Sequence, residues 1–152
     1  MVSANFPHPG ISCSLPTTEN YRLEIVHANG LNPLLRLLQS PDPGSIFAAV
    51  SCVSYLTFQP PNNSLIVEAG FLQPLVNFLS FEDDEDTQLH AALALSNLSV
   101  NAKNRLKIVN AGAVQSIKEL VLKSPLGVQI KMARCIENLS LSGMDLPFNH
   151  LL

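Results

Sequence analysis

The 152-residue chain has no tryptophan, three cysteines, and aromatic residues at only 6% of its length. Cys13, Cys52 and Cys135 are odd in number, widely spaced and set among apolar residues. That pattern describes neither a disulfide framework nor a paired-cysteine zinc site, and it predicts a reducing compartment. Charge is scarce as well: 9 basic against 12 acidic residues leave a formal net charge of −3. A polybasic nucleic-acid surface is excluded, because it needs lysine and arginine massed on one face. No apolar run approaches the roughly 18 residues of a membrane-spanning helix. Met1 to Leu15 lack the basic and long apolar regions of a secretory signal, so the Asn-x-Ser matches at Asn62, Asn97 and Asn138 are read as chance. A phosphate loop, a Gly-x-Ser-x-Gly elbow and a His-Glu-x-x-His helix are all missing, so no catalytic residue, cofactor or metal ligand is assigned. His90 has no second ligand at metal spacing, and the acidic run Glu82 to Asp86 lacks the spaced ligands and glycine of a calcium loop. The run is better read as a solvated helix N-terminus, where negative charge is favoured.

What the chain does have is a repeat. Ile25-Val26-His27-Ala28-Asn29 aligns with Ile66-Val67-Glu68-Ala69-Gly70 and with Ile108-Val109-Asn110-Ala111-Gly112, at offsets of 41 and 42 residues. The same spacing links Leu31, Leu72 and Val114, and further on Leu56, Leu98 and Leu139. A fixed period in this range signals stacked units, each unable to bury its apolar face alone. Each unit reads as three helices. The first, such as Asn62 to Ala69, ends at a residue suited to positive φ: Gly70, Gly112, or the next-best residue, Asn29. Pro33 and Pro74 mark the start of a second helix of about two turns, where a missing N–H is tolerated. After a polar break comes the longest helix, for example Thr87 to Ser99, apolar on more than one face and therefore expected between neighbours. The fold class expected is all-α, a right-handed solenoid of about three repeats at residues 19–60, 61–101 and 102–142. Residues 1–18 are expected to form an extended or disordered leader and residues 143–152 to begin a truncated further repeat.

The phrases Ala69-Gly70-Phe71-Leu72-Gln73-Pro74-Leu75 and Ala91-Ala92-Leu93-Ala94-Leu95-Ser96-Asn97-Leu98 resemble the armadillo family. Gly30 to Ser40 and Ala111 to Leu122 are similar to the fungal vacuolar armadillo-repeat adaptors in particular. The resemblance covers roughly Asn20 to Ser142. It implies a non-catalytic scaffold at the cytosolic face of the vacuole membrane, whose groove recruits protein partners for vacuole inheritance, nucleus–vacuole contact and autophagy-related delivery. The chain departs from that family in carrying three repeats instead of many. Met1-Val2-Ser3 lacks the glycine that myristoylation requires, so membrane association is expected to be indirect.

In armadillo stacks the third helices line a concave groove, and the family's binding asparagine falls here on Tyr55, Asn97 and Asn138. One and two helical turns earlier lie Ser51, then Leu93 and His90, then Arg134 and Lys131, so the face grows basic toward the C-terminus. Asparagine amides carry both donor and acceptor and can hold an extended main chain, while arginine forks onto carboxylate or phosphate. The expected partners are therefore proteins with extended, acidic segments, in a cytoplasmic setting and without nucleic acid. Self-association through an uncapped last repeat is also expected. An importin-type cargo receptor is the alternative of the same fold, disfavoured because Ser51, Leu93 and Arg134 stand where that class has tryptophan. A partial or degenerate paralogue without independent function is the other rival.

Overall fold

A computed structural model of the chain describes residues 19–81, 84–141 and 143. Among these lie nine helices: α1 (Glu19–His27), α2 (Leu31–Leu37), α3 (Pro43–Leu56), α4 (Pro60–Glu68), α5 (Leu72–Phe78), α6 (Glu85–Ser99), α7 (Ala102–Asn110), α8 (Ala113–Leu120) and α9 (Leu126–Ser140). They form three successive triples of two short helices and one long one. Of the outer segments, residues 1–18 and 143–152, only Gly143 lies within the described residues.

Local chemistry explains the punctuation. Each first helix stops at a left-handed residue, with φ of 66° at Asn29, 95° at Gly70 and 84° at Gly112. The next residue folds back to close the helix end, Gly30 N donating to Ile25 O at 2.9 Å and Phe71 N to Ile66 O at 3.4 Å. Pro33 and Pro74 sit third in α2 and α5. These are first-turn positions, whose N–H groups have no intrahelical acceptor. The long helices α3 and α6 begin at aspartate caps, where Asp42 accepts from Ser45 N at 2.8 Å and Asp84 from Thr87 N at 2.9 Å. The Asp84 cap starts α6 at Glu85, two residues before the Thr87 read from the sequence. These hydrogen bonds hold both carboxyls below their usual range, the serine and threonine side chains contributing most. In α9 the capping position is Pro125, which makes no side-chain cap.

The long helices pack side by side, α6 lying between α3 and α9. Ala91, Ala92, Ala94, Leu95 and Leu98 of α6 are all buried, as its apolar girth requires. Leu56, Leu98 and Leu139 repeat one buried position through the stack. Each such leucine contributes about 1.5–3 kcal/mol of transfer free energy. The last unit breaks the pattern: Val50 and Ala92 are buried, whereas the corresponding Ala133 is exposed. On and just after α9, Leu126, Ile130 and Leu141 are also exposed, at 71%, 54% and 69%.

Candidate functional site

The nominated residues lie on consecutive third helices: Ser51 and Tyr55 on α3, His90, Leu93 and Asn97 on α6, Lys131, Arg134 and Asn138 on α9. The repeat register gives them one shared face. Asn97 Nδ2 donates across to Thr57 Oγ1 on the preceding unit at 3.0 Å. Asn138 Nδ2 does the same toward Ser99 Oγ at 2.9 Å and Ser96 O at 3.3 Å. Thr57 and Ser99 are themselves repeat equivalents, and each hydroxyl donates to the carbonyl three residues back, Ser54 O and Ser96 O. The two amides were expected to offer donor and acceptor together. Their donors instead staple adjacent repeats, because a half-buried amide satisfies its N–H on the nearest hydroxyl. Both Oδ1 atoms keep no partner and are not sealed from solvent. The row therefore presents acceptors, suited to the N–H groups of an extended chain.

Where a third asparagine would continue the row stands Tyr55, 39% exposed. Its ring meets His90 edge-on at 5.6 Å and stacks with Phe58 at 6.3 Å. Phe47 meets the other side of His90 at 5.7 Å. The imidazole is further held by Ser54, whose Oγ lies 2.8 Å from Nδ1. That hydroxyl's single hydrogen is directed to Ser51 O at 2.7 Å, so Nδ1 is the donor in this pair. Burial pushes the His90 pKa below its ordinary value, and Asp86 one turn earlier partly opposes the shift. Ser51 and Leu93 are half-buried between these groups, packing residues as much as contact residues. Arg22 closes the margin, its guanidinium 5.5 Å from the Phe58 ring centre.

At the other end Arg134 is exposed and Lys131 half-buried. Neither has an ion-pair partner among the described residues. Beside the asparagine row a cavity of about 370 Å³ is lined by Thr57, Phe58, Pro60, Asn63, Asn97, Val100 and Asn101. Two further polar elements escaped the sequence reading. Asn62 and Asn104 are buried repeat equivalents that each clamp the end of the preceding long helix, donating to Leu56 O at 3.2 Å and Leu98 O at 3.3 Å. Asn62 reaches Arg22 O as well, at 3.0 Å. Their 42-residue separation was a visible signal. Gln88 and Gln129 likewise donate to Leu79 O and Ser124 O at 2.6 and 2.8 Å, securing the loop before each long helix. Cys135 is a free buried thiol whose pKa burial raises to about 11, which makes it a packing residue and not a nucleophile. Cys52 of α3 is likewise buried in the core.

Comparison with known proteins decides the family. The sequence pattern of the Armadillo/beta-catenin-like repeat matches residues 18–58 and 59–100, more than half of the chain. The chain belongs to the armadillo-repeat family. Among its relatives, Vacuolar protein 8 of Candida albicans is 41% identical over 144 residues, covering 90% of this chain and 25% of the relative. Vacuolar protein 8 of Yarrowia lipolytica is 46% identical over 123 residues, covering 80% and 22%. The chain thus spans about a quarter of the length of these curated relatives. Among solved structures, an engineered protein superposes with a TM-score of 0.78 at 28% identity, covering 86% of this chain and 53% of that one. A computationally designed armadillo repeat protein for modular peptide recognition gives 0.74 at 25% identity, covering 78% and 50%. The all-α armadillo solenoid is therefore the fold, and α7 to α9 supply a third unit beyond the two that the family pattern matches. Among the described residues no helix is long and apolar enough to cross a membrane.

Proposed function

We propose that this armadillo stack is a non-catalytic adaptor that holds extended segments of protein partners along the face of α3, α6 and α9, at the cytosolic surface of the vacuole. The observation that carries the reading is the pair of open Oδ1 acceptors on Asn97 and Asn138, one repeat apart beside the unpaired cations Lys131 and Arg134. A row of acceptors at repeat spacing can take main-chain N–H groups without dictating side chains, and the cations add a preference for acidic or phosphorylated residues. The vacuolar setting, with the inheritance, contact and delivery roles it carries, rests on the kinship with Vacuolar protein 8. Peptide recognition is supported by the designed armadillo relative.

The test is a pull-down from a cell extract with the tagged chain beside a variant carrying Asn97→Ala, Asn138→Ala and Arg134→Glu, both checked for helicity. Partners retained by the wild type and lost by the variant support the adaptor. Identical captures, or none, reject the groove and favour a partial or degenerate paralogue. Capture dominated by lysine-rich segments would revive the cargo-receptor alternative. A second reading, self-association, is favoured by the exposed apolar side chains of Leu126, Ile130 and Leu141 on and just after α9. Sedimentation should then detect dimers that Ile130→Lys and Leu126→Lys together dissociate; a wild-type monomer at high concentration would end that reading.

A further inference from the structure

The face of α3 and α6 differs in kind from that of α9. At its N-terminal end Phe47, Tyr55 and Phe58 remain 37%, 39% and 46% exposed, grouped by ring contacts around or beside His90. Aromatic rings left this open around a half-buried imidazole form an apolar cradle with π-faces and edges on offer. Burial disfavours the charged form of His90, and Arg22 stands at the margin against the Phe58 ring. The C-terminal end offers Lys131 and Arg134 with no acidic partner among the described residues. Between the two ends, the acceptors of Asn97 and Asn138 are positioned for a main chain.

We propose that the groove is bipartite: the Phe47–Tyr55–His90 cradle anchors one aromatic or large aliphatic side chain of a partner's extended segment, and Lys131 with Arg134 binds a carboxylate or phosphate on the same segment. The spacing follows from geometry. Packed helices lie about 8–10 Å apart and an extended chain advances about 3.3 Å per residue, so the step from the α3–α6 seam to α9 takes about four residues. The chemistry that fits is thus an extended protein segment in which an aromatic residue and an acidic or phosphorylated residue are separated by about three to five positions. This inference rests on the adaptor reading and adds to it a first specificity element, Tyr55, at the site where the other two repeats carry asparagine.

The experiment is selection of a phage-displayed random dodecapeptide library on the full chain, on Tyr55→Asn and on Arg134→Glu, followed by fluorescence anisotropy of synthesised winners. Tyr55→Asn installs the residue of the other repeats at an exposed position, so folding is preserved, and circular dichroism verifies this. The wild type is expected to enrich peptides with an aromatic and an acidic residue at fixed separation. Tyr55→Asn should keep the acidic preference and lose the aromatic one, and Arg134→Glu should do the reverse. Replacing the aromatic residue of a winning peptide by alanine should weaken its binding about tenfold on the wild type and little on Tyr55→Asn. Acidic peptides enriched without a coupled aromatic residue would overturn the bipartite groove while leaving the adaptor standing; no enrichment over an unrelated protein would overturn both. If Tyr55→Asn leaves the winners unchanged but converts a self-associating chain to a monomer, the cradle belongs to a second copy and the proposal fails.

Discussion

The staple between Asn97 and Thr57 separates structural from binding roles, and a double-mutant cycle reads it directly. Thr57 is 2% exposed, accepts from Asn97 Nδ2 and donates to Ser54 O. Thr57→Val keeps the shape and removes both bonds, a loss of about 2 kcal/mol at about 1 kcal/mol per neutral hydrogen bond. Asn97→Ala removes the one inter-repeat bond and leaves Thr57 still bonded to Ser54, so its cost is about 1 kcal/mol. The double variant cannot lose the shared bond twice and should fall short of additivity by about 1 kcal/mol. For a chain of this size that shortfall corresponds to about 2–4 °C in Tm. Urea titration followed by far-ultraviolet circular dichroism on wild type, both single variants and the double supplies the cycle. Coupling inside the usual additivity error of about 0.3–0.5 kcal/mol would refute the staple. The binding readout then diverges: Thr57→Val retains the Oδ1 acceptor and should retain partners, whereas Asn97→Ala loses both stability and capture.

Three further outcomes follow from the same geometry. Gly70→Ala and Gly112→Ala should each destabilise by about 1–2 kcal/mol in urea titration through backbone conformation alone. An added Cβ meets nothing within 4 Å at either glycine, and Gly70→Asn should cost less than Gly70→Ala because Asn29 already tolerates the same region. Asn62→Ala should cost about 1–3 kcal/mol and more than Asn104→Ala, because it removes bonds to Arg22 O and Leu56 O together where Asn104 makes one to Leu98 O; equal midpoints would contradict this. His90 has a lowered folded pKa, so near and below its unfolded value of about 6.5 the unfolded chain binds more protons and stability falls as pH drops. Denaturation midpoints between pH 7.5 and about 5 should show that decline for the wild type and a flatter profile for His90→Gln; parallel profiles would remove His90 as the cause.

Much of the fold was legible in the sequence because its determinants are local or periodic. Helix ends were marked by Asn29, Gly70 and Gly112, whose conformational tolerance is a property of one residue. The apolar girth of Ala91 to Leu98 required neighbours on two sides, and the recurrence of Leu56, Leu98 and Leu139 said which helices those were. What escaped depended on direction across repeats. Only the packed stack decides that the Asn97 and Asn138 amides turn their donors inward and leave their oxygens open. Likewise His90 is joined to Ser54 across 36 residues of chain, and to Phe47 and Tyr55, by the register of two helices and not by any motif. Sequence alone determined the units and their order, since period and turn chemistry act within each repeat. Tertiary structure decided which atoms the groove presents, because side-chain donors and rings choose their partners only after neighbouring helices have fixed the distances between them.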